Sequence, residues 1–190
     1  MPHPLVTFAR VVTVVALIAA PAGYALREQA QTRNFRVVRR GVLYRSGQMS
    51  RAGLRRVLHD YRIRTVISLR EGVADADRDE EQFCRREEVN FVRIPPRHWW
   101  DPSGSAPAEE GVQTFLRVMA DPRNHPVLVH CFGGVHRAGA YAALYRMEFE
   151  HWGNEQALAE MRACGYTTLE DEWDILGYLE QYVPSWARGE

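Results

Sequence analysis

Lysine is absent from this 190-residue chain, and all 24 basic residues are arginine. That absence reads as codon composition and says little about function. Asp and Glu also total 24, so the formal net charge is zero. No global field therefore steers the chain to nucleic acid or to anionic lipid. Cysteine is scarce: three residues cannot pair into a disulfide framework, and they show no metal-ligand spacing, so neither a zinc site nor any other cofactor is expected. Internal repeats and low-complexity tracts are missing too. A full-length hydrophobic span is lacking, because only sixteen uncharged residues separate Arg10 from Arg27, whereas a transmembrane helix needs roughly 20.

That short apolar run still needs a role. It suits a signal-peptide core, with Gly23-Tyr24-Ala25 as a small-x-small cleavage site. Arg27, Arg33, Arg36, Arg39 and Arg40 beyond it argue instead for an uncleaved anchor with the domain kept cytosolic. A reactive thiol also favours a reducing compartment. Residues 1–30 are expected to target or anchor the chain, and 31–190 to form one domain with a sizeable core. The expected location is membrane-associated through this segment, or exported after cleavage.

Patterning beyond residue 30 predicts strands at 35–38, 42–45, 65–69, 91–94 and 127–129. Ser50 can cap a helix with Leu54, Val57, Leu58 and Tyr61 on one face. Residues 71–79 read as an acidic loop and 79–88 as a solvated helix with Phe83 and Cys84 inward. Ser105 and Pro107 open a helix carrying Val112, Phe115, Leu116 and Met119. The alanine-rich stretch 137–150 predicts a central buried helix, and two more helices fit 155–164 and 169–182. Strands alternating with helices imply an α/β fold with a mostly parallel sheet of four or five strands flanked by helices.

The chemistry concentrates where the apolar run Val127-Leu128-Val129 ends in His130 and Cys131. Phe132, Gly133, Gly134, Val135 and His136 follow, then Arg137, Ala138 and Gly139 at the start of the alanine-rich helix. Backbone N–H groups at a loop-to-helix junction bind anions, and the helix dipole adds positive potential there. Such settings favour the thiolate form of cysteine, which is the nucleophile. Arginine contributes a planar fork for two phosphate oxygens. Cys84 and Cys164 lack the pattern, having Asn90 and Glu170 at the sixth position on.

These residues resemble the cysteine-dependent protein tyrosine phosphatase superfamily, whose loop reads His-Cys-x5-Arg followed by Ser or Thr and Gly. The small atypical dual-specificity phosphatases are the most similar group. Gly41-Val42-Leu43-Tyr44-Arg45-Ser46-Gly47 and Ile63-Arg64-Thr65-Val66-Ile67-Ser68-Leu69 resemble their opening strands. The resemblance implies a phosphomonoesterase working through a phosphocysteine. Cys131 is its implied nucleophile, and residues 132–137 are the implied phosphate cradle. His130 and Gly139 would support the loop, with the histidine holding it and not serving as base. His136 either adds charge to the loop or faces solvent.

The family's proton donor is an aspartate about thirty residues before the cysteine, and Asp101 stands 131 − 101 = 30 positions upstream. Asp75, Asp77 and Asp79 are the rival acids. Ala138 departs from the pattern, since the missing hydroxyl normally helps the thiolate leave when the phosphocysteine is hydrolysed. The phosphatases of regenerating liver share that alanine, which implies a slow second step. The expected substrate is a phosphorylated protein or a small phosphate ester. Neutral residues 132–135 weigh against inositol phosphates or pyrophosphates, although Arg93, Arg97 and His98 can add charge nearby. Trp99 and Trp100 form an aromatic wall for a phosphotyrosine ring, or pack in the core. Two other readings remain: a phosphate-binding pseudophosphatase, which Ala138 favours, and a rhodanese-type sulfurtransferase, which His130 and the Gly-Gly-x-His-Arg loop disfavour.

Overall fold

Alternation along the strands decides which helices cover each side of the sheet. In the computed structural model, which describes residues 13–17, 19–21, 23, 31–101 and 103–189, five strands align in the order β1-β2-β5-β3-β4. These are β1 (Arg36–Arg39), β2 (Leu43–Ser46), β3 (Thr65–Ser68), β4 (Asn90–Arg93) and β5 (Val127–His130). The β1–β2 hairpin is antiparallel and the other three pairings are parallel. Leu43, Ile67, Val127 and Val129 face one core, and Tyr44, Val66 and Leu128 the other, as the two-residue period of a strand requires.

The first core is closed by α3 (Glu109–Ala120), α4 (Arg137–Phe149), α5 (Asn154–Ala163) and α6 (Trp173–Gln181). The second is closed by α1 (Arg51–Asp60) and α2 (Asp75–Arg86), through Leu54, Val57, Leu58, Phe83 and Cys84. The short helix α7 (Ser185–Arg188) ends the fold. Ser50 caps α1 as expected, its Oγ accepting from the Gly53 amide at 3.1 Å. Helix α4 is buried almost all round, which accounts for its run of alanines.

Two expectations are revised. The acidic loop is shorter than the charges suggested, because α2 already begins at Asp75, with Asp75 and Asp77 complementing its N-terminal dipole. Its face is also less solvated, since Asp77 and Glu80 are both buried. The last predicted helix divides, with a 3-10 turn at Leu169–Asp171 before α6.

The predicted targeting segment falls almost wholly outside the described residues. No helix among the described residues is long and apolar enough to cross a membrane.

Candidate active site

The strand β5 delivers Cys131 to the carboxyl edge of the sheet, where doubly wound folds place ligands. Cys131 is 2% exposed, and the Gly134 amide donates to its Sγ at 3.1 Å. Helix α4 starts six residues later without a side-chain cap or an acidic residue in its first turn. Its leading amides and dipole are left for an anion. Cys84 provides the contrast: burial first, then the nearby Glu80 carboxylate, pushes its thiol up to about 12, so it is a packing residue.

Backbone contact shapes the loop from outside. Gly134 adopts φ +79, and a Cβ there would lie 2.2 Å from the Gly47 nitrogen. A Cβ on Gly47 would in turn meet Phe132 and Gly133 backbone atoms at 2.9 Å. Gly47 and Gly134 are therefore required by a close approach of two backbones. The Gln48 amide donates to the Phe132 carbonyl at 3.0 Å, and the Asn34 side-chain amide to the Gly133 carbonyl at 2.8 Å. Asn34 itself has φ +51, a conformation asparagine tolerates. Residues 31–34 thus form a strap across the outer side of the loop, and the Gly47 amide bonds to the Arg33 carbonyl at its centre. Turning these carbonyls outward leaves the loop amides to face inward.

Beneath the loop, His130 is 1% exposed. Its Nδ1 lies 3.4 Å from the Cys131 carbonyl oxygen. Its Nε2 lies 3.1 Å from Glu80 Oε2, at ion-pair distance but outside hydrogen-bond alignment. Arg45 on β2 is buried 3.5 Å from the Cβ position of Gly139, and its charge bears on both Cys131 and Cys164. Neither Glu80 nor Arg45 was singled out by sequence reasoning, and only the buried i, i+3, i+4 pattern of α2 (Glu80, Phe83, Cys84) signalled the former.

The predicted cradle residues 132–137 run from the end of β5 to the first residue of α4. Arg137 donates from Nη1 to the Leu69 carbonyl. It lines a cavity of about 370 Å³ with Arg70, Glu71, Val73, Ala74 and Asp77. Ala138 is fully buried at the start of α4. Of the two things considered for it, His136 does the second in part, being exposed on one side. It stacks on buried Tyr166 at 4.4 Å, and its Nδ1 lies 3.4 Å from Glu172 Oε1.

Asp101 sits in a tight turn in the loop after β4. Its carboxylate accepts bonds from the Ser103 and Ser105 hydroxyls and from the Ser103 amide, and these hold it down at about 2. None of these bonds runs to the Cys131 loop. Of the rival acids, Asp77 is buried and bonded to Arg70 Nε, Asp75 bonds Arg78, and Asp79 lies 3.6 Å from Arg51.

Arg93 is committed to Glu81 at 3.0 Å. Arg97 and Trp99 share a narrow crevice with Arg137. His98 stands 3.9 Å from Asp174 and is largely exposed. Trp99 is a core residue, 4% exposed against Tyr141 and Tyr178, whereas Trp100 makes an edge contact with Trp173.

Known proteins are similar to this chain in sequence and in fold. The chain is similar to the dual specificity protein phosphatase TpbA of Pseudomonas aeruginosa strain UCBPP-PA14, at 28% identity over 72% of this chain and 57% of the relative. It is similar to the inositol diphosphatase DSP1 of Oryza sativa subsp. japonica, at 32% identity over 63% of this chain and 51% of the relative. The chain spans about half the length of the curated relatives it matches. The crystal structure of P. aeruginosa TpbA has the same fold, with a TM-score of 0.62 at 24% identity over 83% of this chain and 93% of that one. The model of the family described as DSP-PTPase phosphatase fused to NAD+ kinase matches residues 5–173, a span that holds the whole Cys131–Arg137 loop, and the chain belongs to that family.

Proposed function

We propose that this chain is a cysteine-dependent phosphomonoesterase of the dual-specificity type, acting on phosphorylated proteins or small phosphate esters. The observation that carries the reading is the Cys131 thiol on the floor of a loop that offers it an amide at 3.1 Å, closed by Arg137 at an uncapped helix start. The names of the relatives support the reaction class.

In the first step Cys131 Sγ attacks phosphorus, the S–P bond forms, and the P–O ester bond breaks. Arg137 and the loop amides stabilise charge on the equatorial oxygens. The leaving alkoxide takes a proton from Asp101, which must first let go of Ser103 and Ser105. In the second step water attacks phosphorus and gives its proton to Asp101, and the S–P bond breaks to return the thiolate. Ala138 places no hydroxyl beside that departing sulfur, so the second step is the slow one.

The test compares p-nitrophenyl phosphate hydrolysis with thiosulfate-to-cyanide sulfur transfer in the full chain and in Cys131→Ser. Hydrolysis abolished by Cys131→Ser, without sulfur transfer, is the expected result. Phosphate binding with no hydrolysis by the unaltered chain would instead establish a pseudophosphatase.

The segment 1–30 we read as an anchor or signal. Its apolar core and flanking arginines support that reading. Protease protection on intact cells tests it: a cytosolic domain resists digestion until lysis.

A further inference from the structure

The first residue of the loop interior presents its ring to solvent. Phe132 is 53% exposed although Cys131 beside it is buried. Two guanidinium groups stack on that ring: Arg33 from the strap at 4.4 Å and Arg70 from the end of β3 at 5.3 Å. Arg70 is held by buried Asp77 through Nε, and the same Asp77 lies 3.4 Å from Gln48 Nε2. It also shares the 370 Å³ cavity with Arg137. Arg33 is exposed. Cation–π stacking fixes where each guanidinium sits without consuming its N–H donors, which lie in the guanidinium plane.

We propose that Arg33 and Arg70, mounted on Phe132, form a subsite for a second anionic group of the substrate, beside the phosphate held by the Cys131 loop. The proposal rests on the phosphatase reading and deepens it by naming a substrate class: phosphate esters with another negative group close to the scissile phosphate. The loop interior from Phe132 to Val135 carries no charge of its own, so cationic recognition of anything beyond the reacting phosphate has to come from outside the loop. The strap and the end of β3 supply it. Two carboxylates line the cavity as well. Asp77 pairs with Arg70 through Nε, the edge of the guanidinium nearest α2, and Glu71 is the other. The second group is either an acidic side chain flanking a phosphoresidue or a second phosphate on a small molecule. Both offer oxygen pairs that match an arginine fork.

Two substrate pairs separate these sources. One is a phosphotyrosyl peptide with flanking glutamates against the same peptide with flanking alanines. The other is fructose 1,6-bisphosphate against fructose 6-phosphate. For each pair the readout is the ratio of KM values within one protein. In the unaltered full chain KM is expected to be roughly fivefold lower for the doubly anionic member of at least one pair, the size of a partly exposed charge contact. The pair that shows it identifies the source. Arg33→Gln should bring that ratio close to one, and Phe132→Leu, which removes the ring under both arginines, should do the same. Arg123→Gln, a surface arginine paired with Asp121 far from the loop, should leave the ratio alone. A ratio near one in the unaltered chain for both pairs overturns the subsite, as does a ratio insensitive to Arg33→Gln. If no substrate is turned over, calorimetric binding of the same four compounds to Cys131→Ser gives the same ratios. That outcome would sink the hydrolase reading while still judging the subsite.

Discussion

Glu80 Oε2 lies 3.1 Å from His130 Nε2, with the two side chains 8% and 2% exposed. A carboxylate on α2 thus reaches under the sheet edge to the residue that precedes the nucleophile. Buried polar side chains of this kind are placed where a polar partner is within reach. The pair fixes the imidazole, and the imidazole sits against the Cys131 carbonyl.

Removing one partner strands the other. Glu80→Ala should cost about 1–3 kcal/mol, the desolvation of an orphaned buried polar group. For a domain of this size that lowers Tm by about 2–12 °C. Glu80→Gln retains an acceptor oxygen and should recover much of the loss. Thermal denaturation of the three proteins checks the order.

Asp101 supplies the pH argument. Bonds from Ser103 and Ser105 favour its charged form and hold it at about 2, so it is ionised at neutral pH while they persist. Removing both hydroxyls raises it toward the ordinary value near ~3.9. The basic limb of kcat/KM on an alkyl phosphate should therefore move to higher pH in Ser103→Ala/Ser105→Ala. Asp101→Asn should lower turnover by about 10²-fold on the same substrate. An unchanged profile in both would remove Asp101 from the proton path.

Ala138 predicts a kinetic signature. Rapid quench of the unaltered chain should show a burst of product followed by a slow steady rate, with phosphoenzyme accumulating on Cys131. Ala138→Ser should shrink the burst and raise the steady rate. A single linear phase in both proteins would contradict a slow second step.

Gly134→Ala puts a methyl group 2.2 Å from the Gly47 nitrogen at a positive φ. The loop has to move, and displacement of a catalytic group by about 1 Å costs about 10²-fold in rate. The fall should appear in kcat/KM for p-nitrophenyl phosphate. Asn34→Ala removes one bond to the Gly133 carbonyl and should cost about 1 kcal/mol of stability.

Much of this was legible from residues close together in sequence. The apolar run into Cys131, the glycines behind it and the helix opening at Arg137 are local signals, and so are the five strands. The burial of Asp77 and Glu80 escaped because they lie in a stretch as charged as any solvated helix, and only the packing of α2 against the sheet buries them. Asn34 is 99 residues from its partner Gly133, a separation across which composition carries no signal. Trp99 and Trp100 are adjacent and chemically alike. The turn at the end of β4 sends one inward beside Tyr141 and leaves the other against Trp173.

The strap has a mechanical meaning. At residues 31–34 the chain is bonded to the Cys131 loop through Asn34 and stacked on it through Arg33. Gly47 and Ser50, the next partners of that strap, flank the same loop from the end of β2. The outer face of the loop and the strap therefore share one set of contacts, made without any intervening strand of the sheet.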